Sequence, residues 1–109
     1  MNIGCDIEKI SRFKDKLKEK DEKFLNRIFS EAELNYCFAK ANPEESLCAR
    51  FCAKEAYIKA KGTQDVPFNE IEILAKDSKK PALYIKGTKI EGDVSISHTE
   101  EYAMAVVLC

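Results

Sequence analysis

Between Glu44 and Lys61 the chain places Leu47, Cys48, Ala49, Phe51, Cys52, Ala53, Ala56, Tyr57, Ile58 and Ala60. On a helix these residues cover most of the circumference, and a helix apolar nearly all round is a buried one. The rest of the fold has to be built around it. Acidic residues at its start, Lys59 and Lys61 at its end and Gly62 just beyond match the signals that open and close a helix. Yet Arg50, Lys54, Glu55 and Lys59 are embedded in that apolar wrapping. Charges in a buried helix must be paired, hydrogen-bonded or bound to a metal. Glu55 precedes Lys59 by four residues, so an ordinary helical ion pair and a functional pair are both open.

The remaining elements sort by position. Ile3, Cys5 and Ile7 alternate with Asn2, Gly4 and Asp6, the pattern of a strand. From Lys9 to Arg27 the chain is polar and helical, with Phe24, Leu25, Ile28 and Phe29 supplying an apolar face. Ser30-Glu31-Ala32-Glu33 reads as a capping box opening a helix that runs to about Lys40, and Asn42-Pro43 breaks it. Strands follow at 71–74, 82–85, 94–97 and 102–108, with Gly87 and Gly92 marking turns. Helices early and strands late predict an α+β fold, helices packed on an antiparallel sheet. A length of 109 residues fits one domain spanning 1–109.

Charge and composition exclude several roles. Eighteen basic against nineteen acidic side chains leave a net charge of -1. Non-specific nucleic-acid binding needs a basic excess and is not expected. No apolar run is long enough to span a membrane. The first residues show no basic region followed by a long apolar stretch, so a cytoplasmic location is expected. Five cysteines without a CxxC spacing read as free, buried thiols in a reducing compartment. Cys48 and Cys52 share a helix face, but with His98 they fall short of a closed zinc site.

Asp6 and His98 stand out for other reasons. Aspartate is a poor strand residue, so Asp6 inside the first strand needs a cause. It is either a strand-edge surface position or a carboxylate held rigidly toward a cation. With Glu55 it would offer two hard oxygen ligands, the number with which magnesium is commonly held beside substrate phosphates. His98 ends a strand between the hydroxyls of Ser97 and Thr99. A lone histidine is more often structural than catalytic, although the setting also suits phosphate or substrate recognition.

Three segments taken in order carry a resemblance. Gly4-Cys5-Asp6-Ile7-Glu8-Lys9-Ile10 resembles a GxDxxxI motif, Arg50 through Ala60 resembles RFxAKEAxxKA, and Ser95 through Ala103 resembles SxSHxxxYA. Together they resemble the holo-acyl-carrier-protein synthase group of 4'-phosphopantetheinyl transferases. The resemblance implies transfer of the phosphopantetheine arm of coenzyme A to a serine of apo acyl carrier protein, with release of 3',5'-ADP. It implies magnesium on Asp6 and Glu55, and Lys59 on the phosphate under attack. Arg50, Lys54, His98 and Thr99 match positions near the coenzyme A cleft. Glu55 matches the nearest acceptor for the serine proton. Homotrimers with shared sites are also implied.

The same resemblance gives a use to the segment from Lys9 to Arg27, which holds eight basic and four acidic residues in a chain that is almost neutral. Arg12 matches a carrier-docking arginine, and Lys14, Lys16 and Lys18 extend its patch. Two features depart from the family. Cys5 replaces an aliphatic residue, compatible with a buried strand. The stretch from Ile85 to Asp93 has no room for the helix that many members place there, and its glycines predict a turn. Two other readings share the same residues: a non-catalytic module for an acidic carrier, and a metal-dependent coenzyme A pyrophosphate hydrolase.

Overall fold

The computed structural model describes residues 1–76 and 79–109. Strand β1 (Ile3–Lys9) opens the chain. Helices α1 (Ser11–Lys18), α2 (Glu22–Ile28), α3 (Glu31–Phe38) and α4 (Pro43–Lys61) follow. Strands β2 (Ile71–Leu74), β3 (Ala82–Ile85), β4 (Thr88–Lys89), β5 (Asp93–His98) and β6 (Tyr102–Leu108) complete it. The α+β expectation holds, with one refinement. The strands form two antiparallel three-stranded sheets, β1-β6-β5 and β2-β3-β4. The first strand therefore pairs with the last, and Asn2 and Cys109 exchange backbone hydrogen bonds of 2.7 and 2.9 Å.

Helix α4 is the axis of the molecule, as its apolar wrapping requires. Pro43 sits in its first turn and Gly62, at φ 81°, closes it in the left-handed conformation. It packs on β1, β6 and β5 on one side and on α1 and α3 on the other. A cluster of aromatic rings fills the space toward α1 and α2. Phe13 lies 6.1 Å from Phe24, 6.1 Å from Phe29 and 5.6 Å from Phe51 between ring centroids. The Ser30 capping box forms as read, with Glu33 at its third position. Between β3 and β4, Lys86 and Gly87 both have positive φ, the two-residue hairpin that fits the twist of paired strands. The turn expected between Ile85 and Asp93 is thus present.

The first strand turns its faces the opposite way from what its apolar residues suggest. Ile3, Cys5 and Ile7 are exposed, while Gly4, Asp6 and Glu8 look toward α4. Cys5 is therefore not a buried thiol; only Cys37, Cys48 and Cys52 are buried, and Cys109 is half-buried. Gly4 is the physical cause. A Cβ there would meet the Ala56 carbonyl oxygen at 1.9 Å and the Ala60 nitrogen at 2.7 Å. Strand and helix backbones touch at that point, and the residues in line with Gly4 are carried to the helix surface. Replacing Gly4 with alanine should push them apart. We expect Gly4→Ala to destabilise the protein by about 3 kcal/mol, the upper end for overpacking because the obstacle is backbone. Urea unfolding checks it, and a loss below about 1 kcal/mol would mean that the close approach is dispensable.

Candidate active site

The contact at Gly4 sets the direction of the next side chains along β1. Asp6 lies two residues on, so it faces the same way, toward the last turns of α4. Its Oδ1 accepts a hydrogen bond from Lys59 Nζ at 3.1 Å. The Asp6 side chain is only 9% exposed, yet its Oδ2 is buried with no hydrogen-bond partner among the described residues. A buried carboxylate oxygen without a donor is costly unless something else satisfies it. Glu55 stands close enough on α4 for its carboxyl to be raised above the usual range, first by burial and then by the negative charge of Asp6. The charge of Asp6 thus reaches Glu55, although the two lie far apart in the chain. Lys59 pairs with Asp6 across the strand–helix interface instead of with Glu55 along the helix.

Glu8 is the member that sequence reasoning passed over. The signal was available, since residues two apart on a strand share a face. Its carboxyl is raised by burial, by side-chain contact with Asp6 and by the charges of Asp6 and Glu55, while Arg12 opposes the rise. Lys59 is raised by its hydrogen bond to Asp6. Asp6, with its unsatisfied Oδ2, and Glu55 would offer two carboxylates to a hard divalent cation. Among the described residues no three acidic, histidine or cysteine side chains are placed to hold an ion by themselves. The donor set therefore fits an ion that takes its remaining oxygens from a bound phosphate and solvent, as magnesium commonly does.

The other expected residues fall in three places. Lys54 is completely buried and points away from this cluster. Its Nζ donates to Glu33 Oε1, to the Ile28 carbonyl at 2.7 Å and to the Phe68 carbonyl at 2.9 Å. All three of its donors are consumed inside the protein, so the structure corrects its assignment to coenzyme A contact. Arg50, one turn earlier, is 6% exposed and lies with its guanidinium 4.3 Å from the Tyr36 ring centre, its Nε unpartnered. His98, the last residue of β5, and Thr99 just after it are exposed. A hollow of about 100 Å³ beside them is walled by Ile7 and Met104, which also wall the larger hollow of about 440 Å³ containing Asp6 and Lys59. The Thr99 hydroxyl accepts the Glu101 and Tyr102 N–H groups and fixes the turn.

Cys48 and Cys52 lie under the sheet and donate to the Glu8 and Ala103 carbonyls at 3.7 and 3.3 Å. They are packing groups apart from His98. On α1, Arg12 Nη1 is 3.6 Å from Glu8 Oε1, and its guanidinium lies over the rings of Phe51 and Phe24. Lys16 reaches Asp21 at 3.4 Å and the face of Phe24. Lys14 and Lys18 extend from the same helix, and both are exposed.

Comparison with known proteins shows the family. Residues 2–107 match the model of the 4'-phosphopantetheinyl transferase superfamily. The chain is 42% identical to a holo-[acyl-carrier-protein] synthase of Chloroherpeton thalassium, over 99% of this chain and 96% of that protein. It superposes on a holo-(acyl-carrier-protein) synthase of Bacillus anthracis solved in complex with CoA (3',5'-ADP), at 38% identity and a TM-score of 0.79. That match covers 98% of this chain and 93% of the other. The Helicobacter pylori holo-[acyl-carrier-protein] synthase, in complex with coenzyme A, gives a TM-score of 0.82 at 29% identity, covering 97% of each chain. A family model matched over residues 2–107 and a relative 42% identical over 99% of the chain place this protein in the 4'-phosphopantetheinyl transferase superfamily.

Proposed function

We infer that the chain is a holo-[acyl-carrier-protein] synthase. It moves 4'-phosphopantetheine from coenzyme A to a serine hydroxyl of apo acyl carrier protein and releases 3',5'-ADP. Residues 1–109 act as one transferase domain. The observation that carries the reading is the buried, unpartnered Asp6 Oδ2 beside Glu55 and Lys59. Magnesium is the proposed ion, held by Asp6 and Glu55; when bound, it neutralises oxygens of the coenzyme A diphosphate.

The chain's own residues do the rest. Asp6 holds Lys59 in place through Oδ1, leaving the ammonium half-exposed with donors free for a phosphate oxygen. There it stabilises the charge that grows on the leaving 3',5'-ADP. Glu55, raised by burial and by Asp6, is the nearest acceptor for the serine proton. Arg50, His98 and Thr99 are proposed to contact coenzyme A. Arg12, Lys14, Lys16 and Lys18 are proposed to dock the acidic carrier, where complementary charge raises the encounter rate.

A homotrimer is proposed as the working form. Ile3 at 71%, Ile7 at 62% and Met104 at 40% exposure lie on adjoining strands, and an apolar stretch of sheet of this kind suits burial against another copy. Its hollows border both Asp6 and His98, so a neighbouring copy would help enclose the substrate. The described residues contain no helix long and apolar enough to cross a membrane, and a cytoplasmic location is proposed.

The test is to incubate the protein with magnesium, coenzyme A and an apo carrier protein and weigh the carrier by mass spectrometry. The expected result is a carrier heavier by one phosphopantetheine, with 3',5'-ADP formed in equal amount. Carrier that stays at its apo mass would favour a docking module. Free phosphopantetheine formed without any carrier would favour a pyrophosphate hydrolase.

A further inference from the structure

Arg12 stands between two surfaces. Its guanidinium is braced over the rings of Phe51 and Phe24, at 5.1 and 5.9 Å. One side reaches Glu8 at 3.6 Å, and the side chain is still 48% exposed on the face of α1. Glu8 in turn lies against Asp6, and the charge of Glu55 reaches it. Three carboxylates, Asp6, Glu8 and Glu55, are thus opposed by two cations, Lys59 from α4 and Arg12 from α1. Oδ2 of Asp6 is buried and has no hydrogen-bond partner among the described residues.

We propose that Glu8 is a positioning residue that couples carrier docking to divalent-ion binding through Arg12. The inference rests on the ion and docking sites of the proposed function. An acidic side chain of the carrier that engages Arg12 draws the guanidinium toward itself and weakens its hold on Glu8. The carboxylate group then has less positive charge beside it and attracts a divalent cation more strongly. Coupling of two bound ligands is reciprocal, so the ion also tightens the carrier. Arg12 is half in solvent, which places the coupling at the low end of the usual range, about fivefold. The ion site is thereby strongest when the acceptor is present.

The experiment is a titration with manganese alone, read by electron paramagnetic resonance, on the full chain with and without apo carrier protein. In the wild type, carrier should tighten manganese binding about fivefold. Arg12→Gln should tighten it by a similar factor without carrier, because the opposing charge is gone. Glu8→Gln should weaken manganese binding and abolish both the carrier effect and the Arg12 effect. Equal manganese affinity in the wild type and Glu8→Gln would overturn the proposal. So would an Arg12→Gln effect that survives in the Glu8→Gln background. Asp6→Asn separates the two levels. Manganese binding that needs Asp6 and ignores Glu8 defeats only the coupling, whereas binding unchanged in Asp6→Asn defeats the ion site itself.

Discussion

Asp6→Asn is expected to lower turnover by about a thousandfold while leaving the fold intact, at the upper end of what one electrostatic group contributes to a reaction. Asparagine keeps the size of the side chain and one carbonyl oxygen. It loses the charge that holds Lys59 at 3.1 Å and the second anionic oxygen, Oδ2, that has no hydrogen-bond partner among the described residues. In the proposed mechanism both losses fall on the same step, since the ammonium and the cation would act on one diphosphate. The stability readout should move the other way. Asp6 lies beside two other acids, both raised by its charge. Removing that charge relieves their repulsion, and its ion pair with a half-exposed lysine is worth little. Without divalent ion, thermal unfolding of Asp6→Asn should occur at or above the wild-type temperature. Turnover within a few-fold of wild type, measured by carrier mass at saturating coenzyme A, would remove Asp6 from the chemistry. A large fall in melting temperature would show that Asp6 is a structural residue.

That opposition between function and stability bears on which parts of the molecule could be read from its residues. Helix α4 was legible because an apolar surface on every side leaves a helix one place to go, and its glycine cap and flanking charges mark its ends. The proposed pairing of Asp6 with Glu55 came from motifs, and nothing local to either residue says that they meet. What turns Asp6 toward α4 is Gly4 lying on the Ala56 carbonyl, a contact between residues distant in the chain. The same contact explains the misread strand face. Periodicity reports that Ile3, Cys5 and Ile7 share a side, and it does not say which side is inward. Glycine and two acids won the inner face because only glycine permits the approach, and the apolar side was left outward. Glu33 was hidden by its capping role: at the third position of a helix an acid looks like a surface residue. Here it caps Ser30 and is also wholly buried.

Lys54→Met is expected to destabilise the protein by about 3–5 kcal/mol, the cost of breaking a buried ion pair by removing one partner. Methionine fills much the same volume, so the loss is not a cavity effect. It leaves the Glu33 carboxylate buried without its cation, and it strips donors from the Ile28 and Phe68 carbonyls. Glu33 also accepts the Ser30 and Ile73 N–H groups at 3.1 and 3.0 Å. The pair therefore ties the end of α2, the start of α3, β2 and the turn at Phe68–Glu70 to α4. Burial holds the Lys54 ammonium below its usual range despite the support of Glu33, so the pair is retained against a real desolvation cost. Adding Glu33→Gln to Lys54→Met removes the stranded charge and keeps an acceptor for an N–H group. The double variant should recover about 1–2 kcal/mol over the single one, since two residues in contact do not add independently. Urea unfolding of the three variants gives the comparison. The position of Lys54 relative to substrate is tested in the same series. Below its melting temperature Lys54→Met should keep the wild-type KM for coenzyme A, because no donor of Lys54 faces the cleft. A raised KM in a variant with undiminished stability would return Lys54 to the coenzyme A site and would mean that the buried arrangement opens when substrate binds.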